Sequence, residues 1–206
     1  MKKIIATNLF FLIGTTIVLT SCGDSTREEA QKSVQMDEPR TEEPVKTEIP
    51  PEKSDYLIEN KVFHTFSDSE KKDEFRIVVT GKSLLKGKVL FTITSAEGKN
   101  LLKEEFDADY LLGYDFTGNI NSQKETDAFI TKRVNQFFSK ENFSVPAIEE
   151  EVVFEDQSYY IDKETWEEIK ADTHVVSFYY LLGKEDGRHI AFSKKKGKVV
   201  MVYNCC

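Results

Sequence analysis

The sequence predicts an α+β domain, a mostly antiparallel β-sheet with one long helix packed on it and a C-terminal three-stranded meander. Three observations predict it. Every aromatic residue except Phe10 and Phe11 lies from Tyr56 onward, so residues 56–206 hold the material for one core. Most of that stretch alternates or clusters Val, Ile, Phe and Tyr between turn residues, which is the strand pattern. One segment switches to helical period: Phe129, Ile130, Val134, Phe137 and Phe138 fall on one half of a helical wheel.

Taken in order, Lys61 to Phe66 and Glu74 to Thr80 read as strands, and Gly81 to Gly87 as a turn. Lys88 to Ser95 follows, with Val89, Phe91 and Ile93 on one face. Ala96 to Asn100 is a hairpin loop by its glycine and asparagine. Leu101 to Leu112 reads as one bent strand or two short ones. The helix is expected from Gln123 to about Lys140. Ser122-Gln123-Lys124-Glu125 spells a capping box, with Ser122 accepting from the Glu125 backbone N–H and Glu125 reaching back to Ser122. Arg133 falls inside the apolar arc, where its stem can pack and its head reach water. Ile148 to Phe154 and Ser158 to Ile161 read as strands, and Asp162 as the cap of a short helix through Ala171. His174 to Leu182, Arg188 to Lys194 and Lys198 to Asn204 form the meander, joined by two glycine-containing turns.

The amino-terminal part has a different composition. Lys2 and Lys3 precede an uncharged, largely apolar run that ends at Ser21-Cys22. That is a basic region followed by an apolar region, the layout of a secretory signal. Thr7, Asn8, Thr15, Thr16 and Thr20 dilute the run below the apolarity expected of a spanning helix. Leu19-Thr20-Ser21-Cys22 resembles the lipobox of bacterial lipoproteins, an aliphatic residue and two small residues before a cysteine. The resemblance implies cleavage between Ser21 and Cys22, removal of residues 1–21 and lipidation of Cys22. Each buried methylene of such an anchor is worth about 0.8 kcal/mol, and two or more chains hold stably. Gly23, rather than an aspartate, follows the cysteine, which in two-membrane bacteria implies the outer membrane.

Residues 22–55 read as the lipidated cysteine and a disordered acidic tether. After Cys22 the segment holds Pro39, Pro44, Pro50 and Pro51, no aromatic residue, and ten acidic residues against five basic ones. Such a stretch buries too little apolar surface to offset its ordering entropy. Residues 56–206 then form a single globular domain on a leash. Beyond the lipobox the chain resembles small envelope lipoproteins built as signal, acidic tether and one β-rich domain; no characterised family carries functional residues over to it.

Chemical signatures are sparse. There is no G-x-S-x-G, no cysteine–histidine spacing suited to zinc and no glycine-rich phosphate loop. His64 and His189 alternate with apolar residues and read as structural or surface side chains; Asp172 and His174 read as a turn. Glu149-Glu150-Glu151 reads as a solvated strand entry, and Lys194, Lys195, Lys196 and Lys198 as a solvated hairpin tip. A formal net charge of −8 disfavours nucleic acid. No catalytic residue, metal ligand or cofactor is expected.

Aromatic side chains are the lead. Tyr159 and Tyr160 near Trp166, and Tyr179 beside Tyr180, put one ring on each face of a strand, so each pair exposes one. Exposed tyrosine and tryptophan serve as sugar-stacking platforms and interface anchors. Cys205 and Cys206 are adjacent, with Cα atoms about 3.8 Å apart, below the usual disulfide range. They can form a strained vicinal bond, bond to a partner chain or stand as thiols; an intermolecular disulfide is the expectation carried forward.

The composite reading is a membrane-anchored envelope protein, non-catalytic, whose domain binds a protein partner or a glycan. The alternatives are an envelope hydrolase using paired carboxylates and an accessory subunit of an envelope assembly. They differ in what they require. A hydrolase needs acids converging in a deep cleft with a raised pKa, a binder a shallow aromatic patch, and an accessory subunit a larger apolar patch.

Overall fold

A computed structural model describes residues 55–154 and 160–205. The signal segment, the tether with Ser21 and Cys22, and both Tyr159 and Cys206 lie outside the described residues.

The fold is α+β, with eight strands in two antiparallel four-stranded sheets. The first sheet is a simple meander of β1 (Tyr56–Thr65), β2 (Lys72–Thr80), β3 (Lys88–Thr94) and β4 (Asn100–Asp107). Its inner face follows from alternation. Phe75 pairs with Ile93, Ile77 with Phe91 and Val79 with Val89, and all six side chains are fully buried. The segment from Leu101 does not stay extended through Leu112. β4 ends at Asp107, and Ala108–Leu111 tightens into a 3₁₀ turn that buries Ala108 and Leu111.

The helix α1 (Gln123–Gln136) starts where the sequence places it and ends a turn earlier. Ser122 Oγ accepts from the Glu125 N–H at 3.4 Å. The reciprocal half of the capping box is not made: Glu125 Oε2 instead accepts from the Asn119 N–H at 2.9 Å, fastening the preceding loop. At the other end, Asn60 of β1 donates to the Val134 carbonyl at 2.8 Å and to that of Asn135 at 3.2 Å. Both carbonyls belong to the last turn, where helical partners run out; that of Val134 also accepts from the Phe137 N–H at 3.3 Å. Phe137 and Phe138, just past the helix, then turn into the core. Arg133 lies near Asp115 at 3.9 Å and is partly exposed, as a snorkelling arginine should be.

The second sheet is β5 (Phe143–Ser144), β6 (Ser177–Leu182), β7 (Asp186–Ser193) and β8 (Lys198–Cys205), the last three being the expected meander. Its inner face meets the first sheet in one aromatic core. The Phe178 ring lies 5.4 Å from Phe75, 5.7 Å from Phe91 and 4.9 Å from Phe143, and His64 stacks on Phe143 at 4.1 Å. Residues 148–154 do not form a strand; they run as turn and coil over the outer face of this sheet. Helix α2 (Lys163–Ala171) follows, capped by Asp162, whose carboxylate accepts from the Thr165 N–H at 2.9 Å. Among the described residues no helix is long and apolar enough to cross a membrane.

The lysines of the β7–β8 turn are exposed, as expected of a solvated tip, and three of them also meet acidic partners. Lys194 binds Asp172 at 2.8 Å, Lys195 pairs with Glu164 and Lys196 with Asp162, while Ser193 donates to Glu168 at 2.6 Å. The turn is strapped along α2, which fixes that helix on the outer face of the sheet.

Candidate functional site

The two faces of the second sheet hold different chemistry, set by the strand period of two. Inward, Phe178 pairs with Ile190, and Tyr180 with Arg188. The Tyr180 hydroxyl donates to Glu104 of β4 at 2.6 Å. Arg188 pairs with the same Glu104 and, through Nε, with Asp186 at 2.9 Å; Asn204 donates to Asp186 at 2.8 Å. This chain of partners joins the two sheets and satisfies each polar group at their seam. Burial, with the Glu104 charge beside it, pushes the Tyr180 phenol well above its ordinary value, and the Arg188 guanidinium holds Asp186 below the usual carboxylate range.

Outward, the register runs Tyr179 to His189 to Tyr203, one ring from each of three neighbouring strands. Tyr179 lies 4.7 Å from His189, and His189 lies 5.7 Å from Tyr203. At Gly187 a Cβ would stand 3.1 Å from the Tyr179 hydroxyl and 3.0 Å from Cys205 Sγ, so glycine leaves room for both. Cys205 is half-buried there. His189 has its pKa lowered by burial, so the imidazole is neutral at neutral pH.

Beside this row the outer face is covered. Ile169 and Trp166 of α2 pack with Ile148, Ile161, Val175, Ala191 and Val202 into a second, smaller core. Between covered and uncovered halves opens a cleft of about 610 Å³. The sheet supplies its floor: Ser177, His189, Val202 and Tyr203. Residues 144–154 supply one wall, including Glu149, Glu151, Val152, Val153 and Phe154, and Tyr160 and Trp166 supply another. Phe154 meets the Trp166 ring edge-on at 5.6 Å.

Of the expected aromatic residues, Tyr160, Trp166 and Tyr179 thus converge on one side of the molecule: Tyr160 and Trp166 line the cleft, and Tyr179 flanks it through His189. Tyr180, as expected of the other ring of its pair, is in the core. Tyr159 and Cys206 lie outside the described residues. Tyr203 and His189 were not singled out as binding residues. The signal for His189 was present, since pairing across the β6–β7 turn puts it on the Tyr179 face, whereas Tyr203 joins it only through a bulge in β8 at Val202.

Other candidate chemistry is dispersed. His174 sits in a turn, its N–H donating to Asp172 at 3.1 Å. Glu149, Glu150 and Glu151 are exposed, on a turn rather than a strand entry. Among the described residues, no cluster of three His, Cys, Asp or Glu side chains is placed to hold a metal ion. The described carboxylates with displaced pKa values, Asp68, Glu97, Asp162, Asp172 and Asp186, are all displaced downward. Hydrogen-bond donors cause each shift. That stabilises carboxylate anions; a proton-donating acid needs the opposite shift.

No family model, curated protein or solved structure matches this chain.

Proposed function

We propose that this protein is a lipid-anchored envelope protein whose domain is a non-catalytic binding module, and that the outer face of its second sheet is the recognition surface. One observation carries the reading. The register of β6, β7 and β8 aligns Tyr179, His189 and Tyr203 on the face that the second core leaves uncovered, beside a cleft walled by Tyr160 and Trp166. A core-building role would bury these rings; Tyr203 is 46% exposed. Rigid aromatic side chains on a sheet offer large contact area at little entropic cost, which suits recognition of a protein or a glycan.

The anchor rests on Leu19-Thr20-Ser21-Cys22 and the tether on the acidic, proline-containing composition of residues 23–55. They support a domain held in the cell envelope on a leash on the order of 30 Å in end-to-end distance, and Gly23 after the cysteine favours the outer membrane.

Two experiments test this. Metabolic labelling with palmitate should mark the wild-type chain and leave Cys22→Ser unlabelled; equal labelling of both removes the anchor. Retention of envelope proteins and polysaccharides by the full chain should be lost in Tyr203→Ala; unchanged retention removes the aromatic face from recognition.

A further inference from the structure

The cleft on the outer face has more negative than positive charge around it: two glutamates line it, and one lysine stands nearby. Glu149 and Glu151 contribute carboxylates to it, and no lysine or arginine is found among the described residues that line it. Lys170 of α2 stands close by but is engaged: it donates to the carbonyls of Glu150 at 2.7 Å and Val152 at 2.5 Å, with its ammonium 5.0 Å from the Trp166 ring centre. The same short region therefore already holds one ammonium by carbonyl oxygens and an aromatic face.

We propose that the cleft receives a basic side chain, arginine or lysine, presented by a protein partner. The inference rests on the reading of the outer face as a recognition surface and names the chemistry it selects. The cation lies against the rings of Tyr160, His189 and Tyr203, whose π faces attract positive charge, and within reach of Glu149 and Glu151. A chain with a formal net charge of −8 attracts basic partners over acidic ones. The rim favours a peptide over a sugar. Val153 is 80% exposed and Val152 43% exposed at the lip; two valines offer no hydrogen bond to sugar hydroxyls but suit the alkyl stem and apolar neighbours of a basic residue. A space of about 610 Å³ is larger than one cationic head group and admits such neighbours.

Trp166 is the chain's one tryptophan and it lines the cleft, so its emission reports occupancy directly. The full chain is titrated with an acetylated tripeptide holding arginine between two leucines, and with counterparts holding neutral citrulline or glutamate in its place. Choline and a chitin oligosaccharide serve as a free ammonium and a neutral sugar. The arginine peptide should shift Trp166 emission with an affinity about tenfold above the citrulline peptide. That ratio should fall to near one in the double variant Glu149→Gln, Glu151→Gln, and its unfolding midpoint should match wild type, since both glutamates are exposed. The preference should also weaken with added salt.

Equal affinity for citrulline and arginine, a retained preference in the double variant, tighter binding of the sugar, or no response to the arginine peptide overturns the proposal. Choline binding more tightly than the peptide overturns the protein source. These failures separate from failure of the recognition surface itself. If a neutral probe binds and Tyr203→Ala abolishes it, the outer face stands and the cation does not. If Tyr203→Ala retains envelope partners as wild type does, the outer face falls.

Discussion

Toward the first sheet, β6, β7 and β8 present Phe178 and Tyr180, Arg188 and Ile190, and Met201. One residue along the same strands, on the opposite face, they present Tyr179, His189 and Tyr203. Both faces are aromatic, and composition does not tell them apart. Inside, the rings close on Phe75, Phe91, Phe137 and Phe138 from every side, and the polar groups at the seam are matched by Glu104 and Asp186. Outside, α2 and residues 148–154 cover only part of the sheet, leaving Tyr203 half in water and a cleft beside it. The contrast sets an enclosed face against a partly open one on a single sheet, and the proposed recognition surface is the open one. A fully enclosed ring contributes chiefly to folding, and a partly exposed ring beside a cavity is where the proposed recognition would be read.

Substitutions should sharpen this contrast, with effects falling from the inner face to the outer. Phe178→Ala empties a site with no solvent exposure and should cost about 3–5 kcal/mol in urea unfolding. A loss below 1 kcal/mol would mean the two sheets do not share the core described. Arg188→Leu removes the cation between Glu104 and Asp186 and leaves the Tyr180–Glu104 bond without its counter-charge. It should cost about 1–3 kcal/mol, and chemical denaturation at neutral pH measures it. Asp162→Ala takes the cap from α2 and should cost about 1 kcal/mol. Because α2 carries Trp166, its emission should shift to the red in the same variant as the covered half of the outer face loosens.

The smallest effect is a pH dependence. Burial lowers the His189 pKa, so the unfolded chain binds this proton more readily than the folded one. The contribution is full above about pH 6.5, the unfolded value, and is lost as pH falls from there through the folded pKa. His189→Phe should flatten that part of the stability profile between about pH 7 and 5. Tyr179, Tyr203 and the cleft carboxylates Glu149 and Glu151 are the ionisable groups around it, and the variant keeps them all. An unchanged slope would mean His189 is as hydrated as in the unfolded chain.

The fold was legible because its signals are local. Val89, Phe91 and Ile93 alternate, Ser122 and Asp162 cap as their chemistry dictates, and the final meander is punctuated by glycines. What misled was β-rich composition without a pairing partner. Ile148 to Phe154 has the residues of a strand, but only Ile148 and Phe154 join the second core, Val152 and Val153 face solvent, and the segment runs as turn and coil. The lysines after Ser193 are solvated as read, and only their pairing was hidden, because the acids they meet belong to α2 and its flanks, about thirty residues earlier in the case of Lys195 and Glu164. The site was half legible for the same reason. Alternation at Tyr179 and Tyr180 tells which ring leaves the core, and local pattern suffices for that. Recruiting His189 and Tyr203 requires the register of three strands, which depends on turn lengths and on the bulge in β8 between Met201 and Tyr203.

The most direct measurement sets the two faces against each other in one experiment. Unfolding free energy and retention of envelope partners are measured together for wild type, Phe178→Ala and Tyr203→Ala. Tyr203→Ala should keep its stability within about 0.5 kcal/mol of wild type and lose retention, while Phe178→Ala should lose stability first and retention only as it unfolds. Retention at the wild-type level by a folded Tyr203→Ala chain would contradict the account and return the outer rings to the role of surface packing.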